Sequence, residues 1–319
     1  MDVGSTIREL LVRSMTLAAD GVLSIVFTAA DGHELPEFEF GSHIDLMLSP
    51  DLIRQYSLCG QRDNRLEWTV AVLREPESRG GSIYVHEVLR PGMKVSYAGP
   101  RSNFKLIEAE RYLFIAGGIG ITPFIPMITQ VASRDRDWRL VYGGRRRSSM
   151  AFVKELSELG PRVSISPEDE FGLLDLTGAI GALDTDAVVY CCGPEALITA
   201  VETTCASLGR PAPRVERFGA RRTGEGAPQA QMSFDVVLSK SGQRLTVPAD
   251  KTIIQVLKDA GIDVLTSCEE GYCGTCETEV LEGVPDHRDE YLEEEERASN
   301  KRMMICCGRS KSPELTLKL

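Results

Sequence analysis

Three cysteines lie close together near the C-terminal end of the chain. Cys268, Cys273 and Cys276 have the spacing C-x4-C-x2-C within SCEEGYCGTCETEV, residues 267–280. Thiolates are the ligands of soft metals and of iron–sulfur clusters, and three so close in sequence must come from one tight loop. Gly271 and Gly274 give that loop the conformational freedom it requires. Three thiols leave a four-coordinate site one ligand short, so a fourth must come from elsewhere.

The fourth ligand has two candidates, the neighbouring Cys306 and Cys307. The segment resembles plant-type ferredoxins over about 88 residues, and the 29 residues between Cys276 and Cys306 equal the gap in that family. The resemblance implies a [2Fe-2S] cluster bound by Cys268, Cys273, Cys276 and Cys306. If MMICC is a strand, Cys306 and Cys307 point to opposite faces and only one reaches the cluster. The alternatives are reduced thiols without a metal and a zinc site, for which this spacing is unusual.

A second set of candidate residues lies in RQYSLCG, residues 54–60, and RGGSIYVHEVL, residues 79–89. A planar isoalloxazine ring needs an aromatic platform, a donor for N5 or O4, and a cationic or helix-terminal cradle for its phosphate. These roles suit Tyr56, then Ser57, then Arg54 with Gly81 and Ser82. Alone, each segment is equally typical of a half-buried aromatic residue or of a turn with a helix cap.

Two further segments follow apolar strands and are candidates for binding a dinucleotide. AGGIGITP, residues 116–123, begins a helix, with Thr122 as the expected N-cap and Pro123 at the first helical position. Its glycines let backbone amides approach a pyrophosphate, although Pro123 replaces the last glycine of the G-x-G-x-x-G fingerprint. CCGPEA, residues 191–196, ends a later strand, where open α/β sheets bind their ligands. In isolation the first segment is equally a strand-to-helix turn without a ligand.

Three consecutive arginines bear on which nucleotide is bound. GGRRRSS, residues 143–149, follows the second strand of this region, where an acidic residue often selects NAD by binding the ribose hydroxyls. Arginines suit the 2'-phosphate of NADPH instead, or they form a solvated turn. The residues alone therefore leave NADH and NADPH open.

The elements that must position these residues change character along the chain. Residues 1–104 carry short alternating segments such as LSIVFTA and LEWTVAVL, which predict an antiparallel β-barrel. Residues 105–220 alternate apolar strands with helical stretches, the pattern of a parallel α/β sheet. Residues 221–231 are polar without periodicity and typical of a linker. In residues 232–319, MSFDVVLSKSGQRLTV predicts a hairpin and TIIQVLKDAG a helix, before the cysteine loop.

Composition excludes several classes of protein. A net charge of -11 over 319 residues disfavours a general nucleic-acid binder and favours a partner with a basic patch. The polar first ten residues lack a secretory signal, and the apolar stretch Tyr112 to Ile128 is broken by Gly and Pro, so we expect a cytoplasmic protein without a membrane span. Nine cysteines then indicate metal binding rather than disulfides. The four scattered histidines support neither a Rieske centre nor a hydrolytic triad.

The ordered set of motifs is more specific than any one of them. RQYSLCG, RGGSI, AGGIGITP, YCCGPEAL, ERFGA and the cysteine loop together resemble phthalate dioxygenase reductase and its relatives, including vanillate O-demethylase reductases, from about residue 10 onward. The resemblance implies FMN, NADH, a ferredoxin-NADP reductase-like nucleotide domain and a β-grasp ferredoxin domain. It also implies a separate Rieske-type oxygenase as the electron acceptor.

The same resemblance implies the roles of individual residues. Ser57, Thr122 and Cys192 would lie beside the reacting atoms, with Cys192 near the nicotinamide. Cys59, Cys191 and Cys205 are interpreted as ordinary buried thiols. The implied cofactor-binding set is Arg54, Gln55, Tyr56, Ser57, Ala71, Val72, Leu73, Gly80, Gly81, Ser82, Gly117, Gly118, Gly120, Thr122, Cys192, Gly193, Pro194 and Phe218.

These features predict an electron relay in one monomeric chain. A hydride passes from NADH to the flavin, and electrons then leave one at a time through the cluster to an oxygenase. A cytochrome P450 or a diiron hydroxylase as acceptor would give the same chain. A non-enzymatic redox sensor or metal-binding module would need only the cysteine loop. The acidic run at residues 286–297 is equally a docking surface and a solvated helix face.

Overall fold

The computed structural model describes residues 8–50, 52–76, 78–184, 186–219 and 232–319. The chain divides into two compact units, of which the first ends at Arg217 and the second begins at Phe218. The first unit contains an antiparallel sheet followed by a parallel sheet, and the second contains a smaller mixed sheet. The expected linker at residues 221–231 lies outside the described residues.

Six antiparallel strands form the N-terminal sheet. They are β1 (Arg8–Ala19), β2 (Val22–Ala29), β3 (Ser42–Ser49), β4 (Leu52–Ser57), β5 (Trp68–Leu73) and β6 (Lys94–Ser102), with helix α1 (Gly81–Glu87) packed against β3, β4 and β5. Their spatial order is β4-β3-β6-β1-β2-β5. Leu58, directly after β4, pairs with Val70 of β5. This bridge joins the two edge strands and closes the predicted barrel, whose interior holds Ile25, Phe27 and Trp68.

Five parallel strands form the second sheet of the first unit, which confirms the predicted α/β class. The strands are β7 (Arg111–Gly117), β8 (Asp137–Gly144), β9 (Val163–Pro167), β10 (Val188–Cys192) and β11 (Arg214–Glu216), and the helices are α2 (Phe124–Ser133), α3 (Val153–Ser157), α4 (Glu168–Phe171), α5 (Leu176–Gly181) and α6 (Glu195–Ser207). In the order β11-β10-β7-β8-β9, the chain adds β8 and β9 on one side of β7 and then β10 and β11 on its other side. The order in which strands are added therefore reverses between β7 and β10. Ligands of such sheets bind at the carboxyl ends of the strands beside this reversal.

Two local predictions in this sheet differ from the structure. The helix expected in MAFVKELSEL is limited to Val153–Ser157, because Gly160 with its φ of +79° and Pro161 follow directly and cannot extend it. The expected N-cap Thr122 lies instead in a turn, because a 3-10 segment, Gly118–Ile121, precedes α2. The Thr122 hydroxyl donates to the Ile119 carbonyl at 3.0 Å and so does not cap the helix.

The second unit contains a five-stranded mixed sheet, a separate two-stranded sheet of β15 (Pro285–Asp286) and β17 (Arg309–Ser310), and two short helices. Its strands are β12 (Phe234–Leu238), β13 (Arg244–Val247), β14 (Glu277–Glu282), β15 (Pro285–Asp286), β16 (Arg302–Met304), β17 (Arg309–Ser310) and β18 (Glu314–Leu317), and its helices are α7 (Ile253–Asp259) and α8 (Glu294–Ser299). The order is β13-β12-β18-β14-β16, with β12 and β18 parallel. The β12–β13 hairpin and α7 confirm their predictions, and α7 begins with a capping box between Thr252 and Gln255. Together these elements form the expected β-grasp fold.

Within the described ranges, no helix is long and apolar enough to cross a membrane. The predicted interpretation of Tyr112 to Ile128 is confirmed, because this stretch forms β7, the 3-10 turn and the first part of α2.

Candidate electron-transfer sites

Four buried thiols lie in the second unit, three of them in the loop between α7 and β14. The exposed fractions of Cys268, Cys273, Cys276 and Cys306 are only 3%, 2%, 5% and 3%. The thiol of Cys268 contacts those of Cys273 and Cys306. Chain segments almost forty residues apart thus bring their sulfur atoms together in the interior.

The two glycines of the loop are required by close contacts. Gly271 and Gly274 have φ values of +82° and +74°, a region that favours glycine. A Cβ at Gly271 would meet the Cys307 sulfur at 2.5 Å, and a Cβ at Gly274 would overlap the Tyr291 ring. A side chain at either position would therefore displace the loop that carries the cysteines.

Hydrogen bonds and thiol contacts suit these sulfurs for binding iron. The amide of Glu270 donates to the Cys268 sulfur at 3.3 Å, and the Cys273 thiol lies 3.3 Å from the Thr275 hydroxyl. Contact with Cys268 and burial raise the pKa of Cys273. For Cys268, contact with Cys273 lowers the pKa, but contact with Cys306 and burial raise it on balance. Iron would replace these shared protons, because thiolates are the binding form.

The donor set fits a binuclear cluster. Four buried cysteine sulfurs with amide and hydroxyl groups beside them are the donors that a [2Fe-2S] cluster takes. Cys268, Cys273, Cys276 and Cys306 would hold it.

The argument from strand alternation for Cys306 is wrong. Strand β16 ends at Met304, and Cys306 and Cys307 lie in the turn that follows, where the Gly308 amide donates to the Met304 carbonyl at 2.9 Å. Cys306 is nevertheless the cysteine whose thiol contacts Cys268, whereas the half-buried Cys307 contacts Cys306 and the backbone at Gly271.

In the barrel, Arg54 lies against the start of α1. Its guanidinium donates to the carbonyls of Arg79 and Ile53, the latter at 2.7 Å. A Cβ at Gly81 would overlap the aliphatic part of Arg54, so only glycine lets the arginine lie across the first turn of α1. Gly80 before it has a φ of +90°. One cation and the backbone of the first turn of α1 therefore meet where a flavin phosphate is expected.

The barrel closure brings the expected ring contacts together. Because Leu58 pairs with Val70, Ser57 lies next to Ala71 at the junction of β4 and β5. Ser57 and Ala71 are buried, and burial raises the pKa of the neighbouring Tyr56, so that its phenol stays neutral. The adjacent Val72 and Leu73 continue β5, and the Ser82 hydroxyl fixes the following loop by accepting from the Glu75 amide at 3.0 Å. Gln55 lies between Arg54 and Tyr56 on β4.

Glycines of the parallel sheet allow two loops to touch. A Cβ at Gly117 would lie 2.8 Å from Pro194, and a Cβ at Gly120 would overlap the Cys192 carbonyl. Gly193 packs on Gly117 in return. The Tyr142 hydroxyl of β8 donates to the Gly118 carbonyl at 3.1 Å and holds the turn. The structure thus brings together the two segments that the sequence proposed separately.

Cys192 has a carboxyl neighbour that sequence reasoning missed. Cys192 of β10 pairs in register with Glu216 of β11. Burial raises the pKa of Glu216 to about 8, and its Oε2 atom is buried without a hydrogen-bond partner among the described residues. Burial, followed by the nearby Glu216, raises the pKa of Cys192, which is fully buried as a neutral thiol. The signal in the sequence was the lone acid of VERF, two residues before the expected Phe218.

Two expected residues are placed without their expected neighbours. Thr122 is buried behind the glycine turn, at the C-terminal end of the 3-10 segment. Phe218 is 41% exposed and begins the second unit, so its position beside the flavin stays a prediction.

One of the three consecutive arginines at residues 145–147 forms an ion pair. Arg147 donates two hydrogen bonds of 3.0 Å to the carboxylate of Glu170 in α4. Arg145 and Arg146 are exposed at the end of β8. Binding of a 2'-phosphate and a solvated turn both stay open for this run.

Comparisons with known proteins agree with this architecture. Residues 114–164 match the oxidoreductase NAD-binding domain family, and residues 236–311 match the 2Fe-2S iron-sulfur cluster binding domain family. The chain is 40% identical to the phenoxybenzoate dioxygenase subunit beta of Ectopseudomonas oleovorans over 98% of this chain and 97% of that one. It also matches the structure of phthalate dioxygenase reductase with a TM-score of 0.71 and 34% identity, covering 98% of each chain.

A longer protein contains a similar arrangement. An intact type IV self-sufficient cytochrome P450 monooxygenase matches 100% of this chain with a TM-score of 0.89 and 41% identity. This chain spans only 42% of that protein.

The barrel, the parallel sheet with its glycine turns and the four-cysteine unit define an oxidoreductase that joins pyridine nucleotide, flavin and iron–sulfur chemistry. The chain belongs to the family of oxygenase reductases that includes phthalate dioxygenase reductase and vanillate O-demethylase reductase. The matched domain families identify a [2Fe-2S] cluster and a pyridine nucleotide as its cofactors.

Proposed function

We propose that this chain is the reductase that takes electrons from NADH and delivers them singly to a Rieske-type oxygenase. The observation that carries the proposal is that one chain contains both the glycine turn at Gly117 and Gly120, packed tightly against the loop at Cys192, and four buried cysteines in the second unit. Bound FMN would accept a two-electron hydride, and a bound [2Fe-2S] cluster would carry one electron at a time.

The residues of the first unit would bind and orient the two organic cofactors. Arg54 and the backbone at Gly81 would hold the FMN phosphate, and Ser57 and Tyr56 would contact the ring. Gly117 and Gly120 would admit the pyrophosphate, with Cys192 beside the nicotinamide. Because these positions lie on rigid strand ends and tight turns, they would fix the geometry of transfer without supplying an acid or a base.

The test is a visible spectrum recorded without oxygen before and after adding NADH. We expect bands of both an oxidised flavin and an iron–sulfur cluster, and bleaching of both after the addition. A protein that bleaches its flavin band but never its cluster band would contradict the relay. A colourless protein would instead support a metal-free sensor or interaction module.

A Rieske-type acceptor is supported by the named relatives, among them a dioxygenase subunit and a vanillate O-demethylase oxidoreductase. Such acceptors are separate proteins. Adding a purified Rieske oxygenase component to the reduced chain should reoxidise the cluster and produce oxidised substrate in proportion to the NADH consumed.

A cytochrome P450 acceptor is the second candidate, because the similar self-sufficient monooxygenase contains its P450 part in the same chain. The two candidates differ in readout. A P450 acceptor would give the carbon monoxide difference spectrum of a ferrous haem when mixed with this chain and NADH, whereas the Rieske component would not.

A further inference from the structure

An ion pair joins the loops that follow β8 and β9. Arg147 donates from Nε and Nη2 to the two carboxylate oxygens of Glu170 at 3.0 Å each. The Asp169 amide donates to the Arg145 carbonyl at 3.3 Å, which fixes the two loops together. The two side chains are 47% and 41% exposed, so the pair contributes little to the stability of the fold. Its position suggests a different role.

This ion pair lies at the edge where the dinucleotide is expected. Strands β8 and β9 are the next neighbours of β7 in the sheet, and all three run parallel, so their carboxyl ends lie side by side. Strands in a sheet are about 4.8 Å apart, so a dinucleotide whose nicotinamide lies near Cys192 reaches the end of β9 when extended across β7 and β8.

Two exposed apolar residues lie at the same end of the sheet. Phe171 and Leu173, in the segment after β9, are 66% and 85% exposed. Leu174 packs on Gly143 at the end of β8 and anchors this segment to the sheet. An exposed aromatic ring with an exposed leucine nearby suits the face of an adenine, since bases stack on aromatic side chains.

We propose that Glu170 is a specificity-determining residue that acts by holding Arg147, and that the adenine of the nucleotide covers Phe171. An arginine binds the 2'-phosphate of NADPH through paired hydrogen bonds. Here Glu170 already occupies the Nε and Nη2 donors of Arg147, so that phosphate must either displace the carboxylate or bind beside it, whereas the 2'-hydroxyl of NADH meets neither obstacle. The inference rests on the proposed function, since it assigns the donor of the same relay.

Arg147 and Glu170 both stay charged around neutral pH, so the ion pair between them persists there. Its hydrogen bonds to Glu170 raise the pKa of Arg147, and the same contact lowers the pKa of Glu170. Both groups therefore stay ionised around neutral pH. Because the pair is exposed, it weakens the binding of NADPH rather than abolishing it.

The test compares NADPH with NADH as donors, with ferricyanide as acceptor. In Glu170→Gln we expect the ratio of kcat/KM for NADPH to that for NADH to rise about tenfold, because Arg147 is released and a repelling charge is removed. In Arg147→Gln the ratio should fall. The double variant should lose the gain of Glu170→Gln, since the residue that binds the phosphate is then missing.

The matched control is Glu108→Gln, which removes a carboxylate paired with two arginines at the opposite end of the strands. Glu108 pairs with Arg134 at 2.8 Å and Arg136 at 2.6 Å, before β7. Glu108→Gln should leave the donor ratio unchanged. Phe171→Ala should raise KM for both nucleotides about equally, because the adenine is common to them.

Binding of adenosine 2',5'-bisphosphate, measured by calorimetry, gives a second readout that needs no electron transfer. Glu170→Gln should bind it about tenfold more tightly than the unaltered protein does. An unchanged donor ratio and unchanged bisphosphate binding in Glu170→Gln would overturn the inference, as would a double variant that keeps the gain. If NADH reduces nothing in the unaltered protein, the relay fails, and bisphosphate binding still tests the role of Glu170.

Discussion

Cys306 and Cys307 are adjacent, and their thiols touch, yet their surroundings differ. Cys306 is buried and contacts Cys268 of the loop, whereas Cys307 is half-buried and lies over the backbone of Gly271. Contact with Cys306, followed by burial, raises the pKa of Cys307 and keeps its thiol protonated. Of the two neighbours, Cys306 is the one whose thiol contacts Cys268 of the loop, and this geometry supports Cys306 as the fourth ligand.

Cys306→Ser should therefore abolish the cluster or badly damage it. Cys307→Ser should leave the visible spectrum nearly intact, because only a neighbouring thiol is lost. Visible absorption at wavelengths longer than the flavin bands measures the cluster in both variants. The amount of bound iron per chain confirms the result. A stable cluster in Cys306→Ser with loss in Cys307→Ser would reverse the assignment.

Glu216 is a partly exposed residue that buries a carboxyl oxygen at the carboxyl end of the parallel sheet. Burial raises its pKa to about 8 from an ordinary value of 4.5, so folding takes up a proton between these values. The folded state consequently loses stability as pH rises from about 5 to 8. Below about pH 8 the carboxyl group is neutral beside Cys192 and can donate a hydrogen bond to a bound carboxamide.

The rate of flavin reduction by NADH should fall as pH rises through about 8 in the unaltered protein. In Glu216→Gln this fall in rate should be weaker, because the amide cannot ionise. For the same reason, the urea concentration that releases the flavin should change less between pH 5 and pH 8 in this variant than in the unaltered protein. Stopped-flow absorbance measures the rates. The exposed Glu158→Gln is the control, and a profile in Glu216→Gln that matches the unaltered one would exclude this role.

At the scale of elements, α8 is coupled to the cluster loop. The segment before it contacts that loop, because the Glu290 amide donates to the Gly271 carbonyl at 3.0 Å and the Tyr291 ring covers Gly274. Arg297 of α8 donates to the Asp289 carbonyl at 2.6 Å. The exposed carboxylates at the start of α8 are thus held near the expected exit of electrons, where they could attract a basic acceptor.

Charge reversal at Glu294 and Glu295 should lower turnover with the oxygenase several-fold at low salt and less at high salt, since salt screens attraction between exposed charges. These two positions spare the capping box that Glu293 and Glu296 form. Reduction of ferricyanide should not change. Reversal of Asp250 and Glu282, two exposed acids of the same unit, controls for net charge. An equal loss in both assays would reject a docking role.

The sequence predicted those elements whose signals are local. Alternation in LEWTVAVL gave β5, the turn residues Ser241 and Gly242 gave the β12–β13 hairpin, and cysteine spacing gave the loop. Thr122 was misplaced because a 3-10 turn competes for its hydroxyl. The burial of Glu216 was missed because it depends on a neighbouring strand from another part of the chain. Contacts between distant segments leave no local pattern.

At the scale of the molecule, two units divide the chemistry. The first contains the strand ends and glycine turns that suit nucleotide and flavin, and the second contains the four thiols. Each unit has its own apolar core, so damage to one site should leave the other folded. The division gives the order of the relay a direct test.

Cys273→Ser in the full chain should remove the cluster while the first unit still binds FMN. We expect NADH to bleach the flavin at close to the unaltered rate and ferricyanide to be reduced, because a small acceptor can take electrons without the cluster. Reduction of the oxygenase partner should fall to background, because the carrier of single electrons is missing. Anaerobic stopped-flow absorbance and product formation measure the two steps separately. Undiminished delivery to the partner from this variant would mean that electrons leave the flavin directly, and the second unit would then need another role.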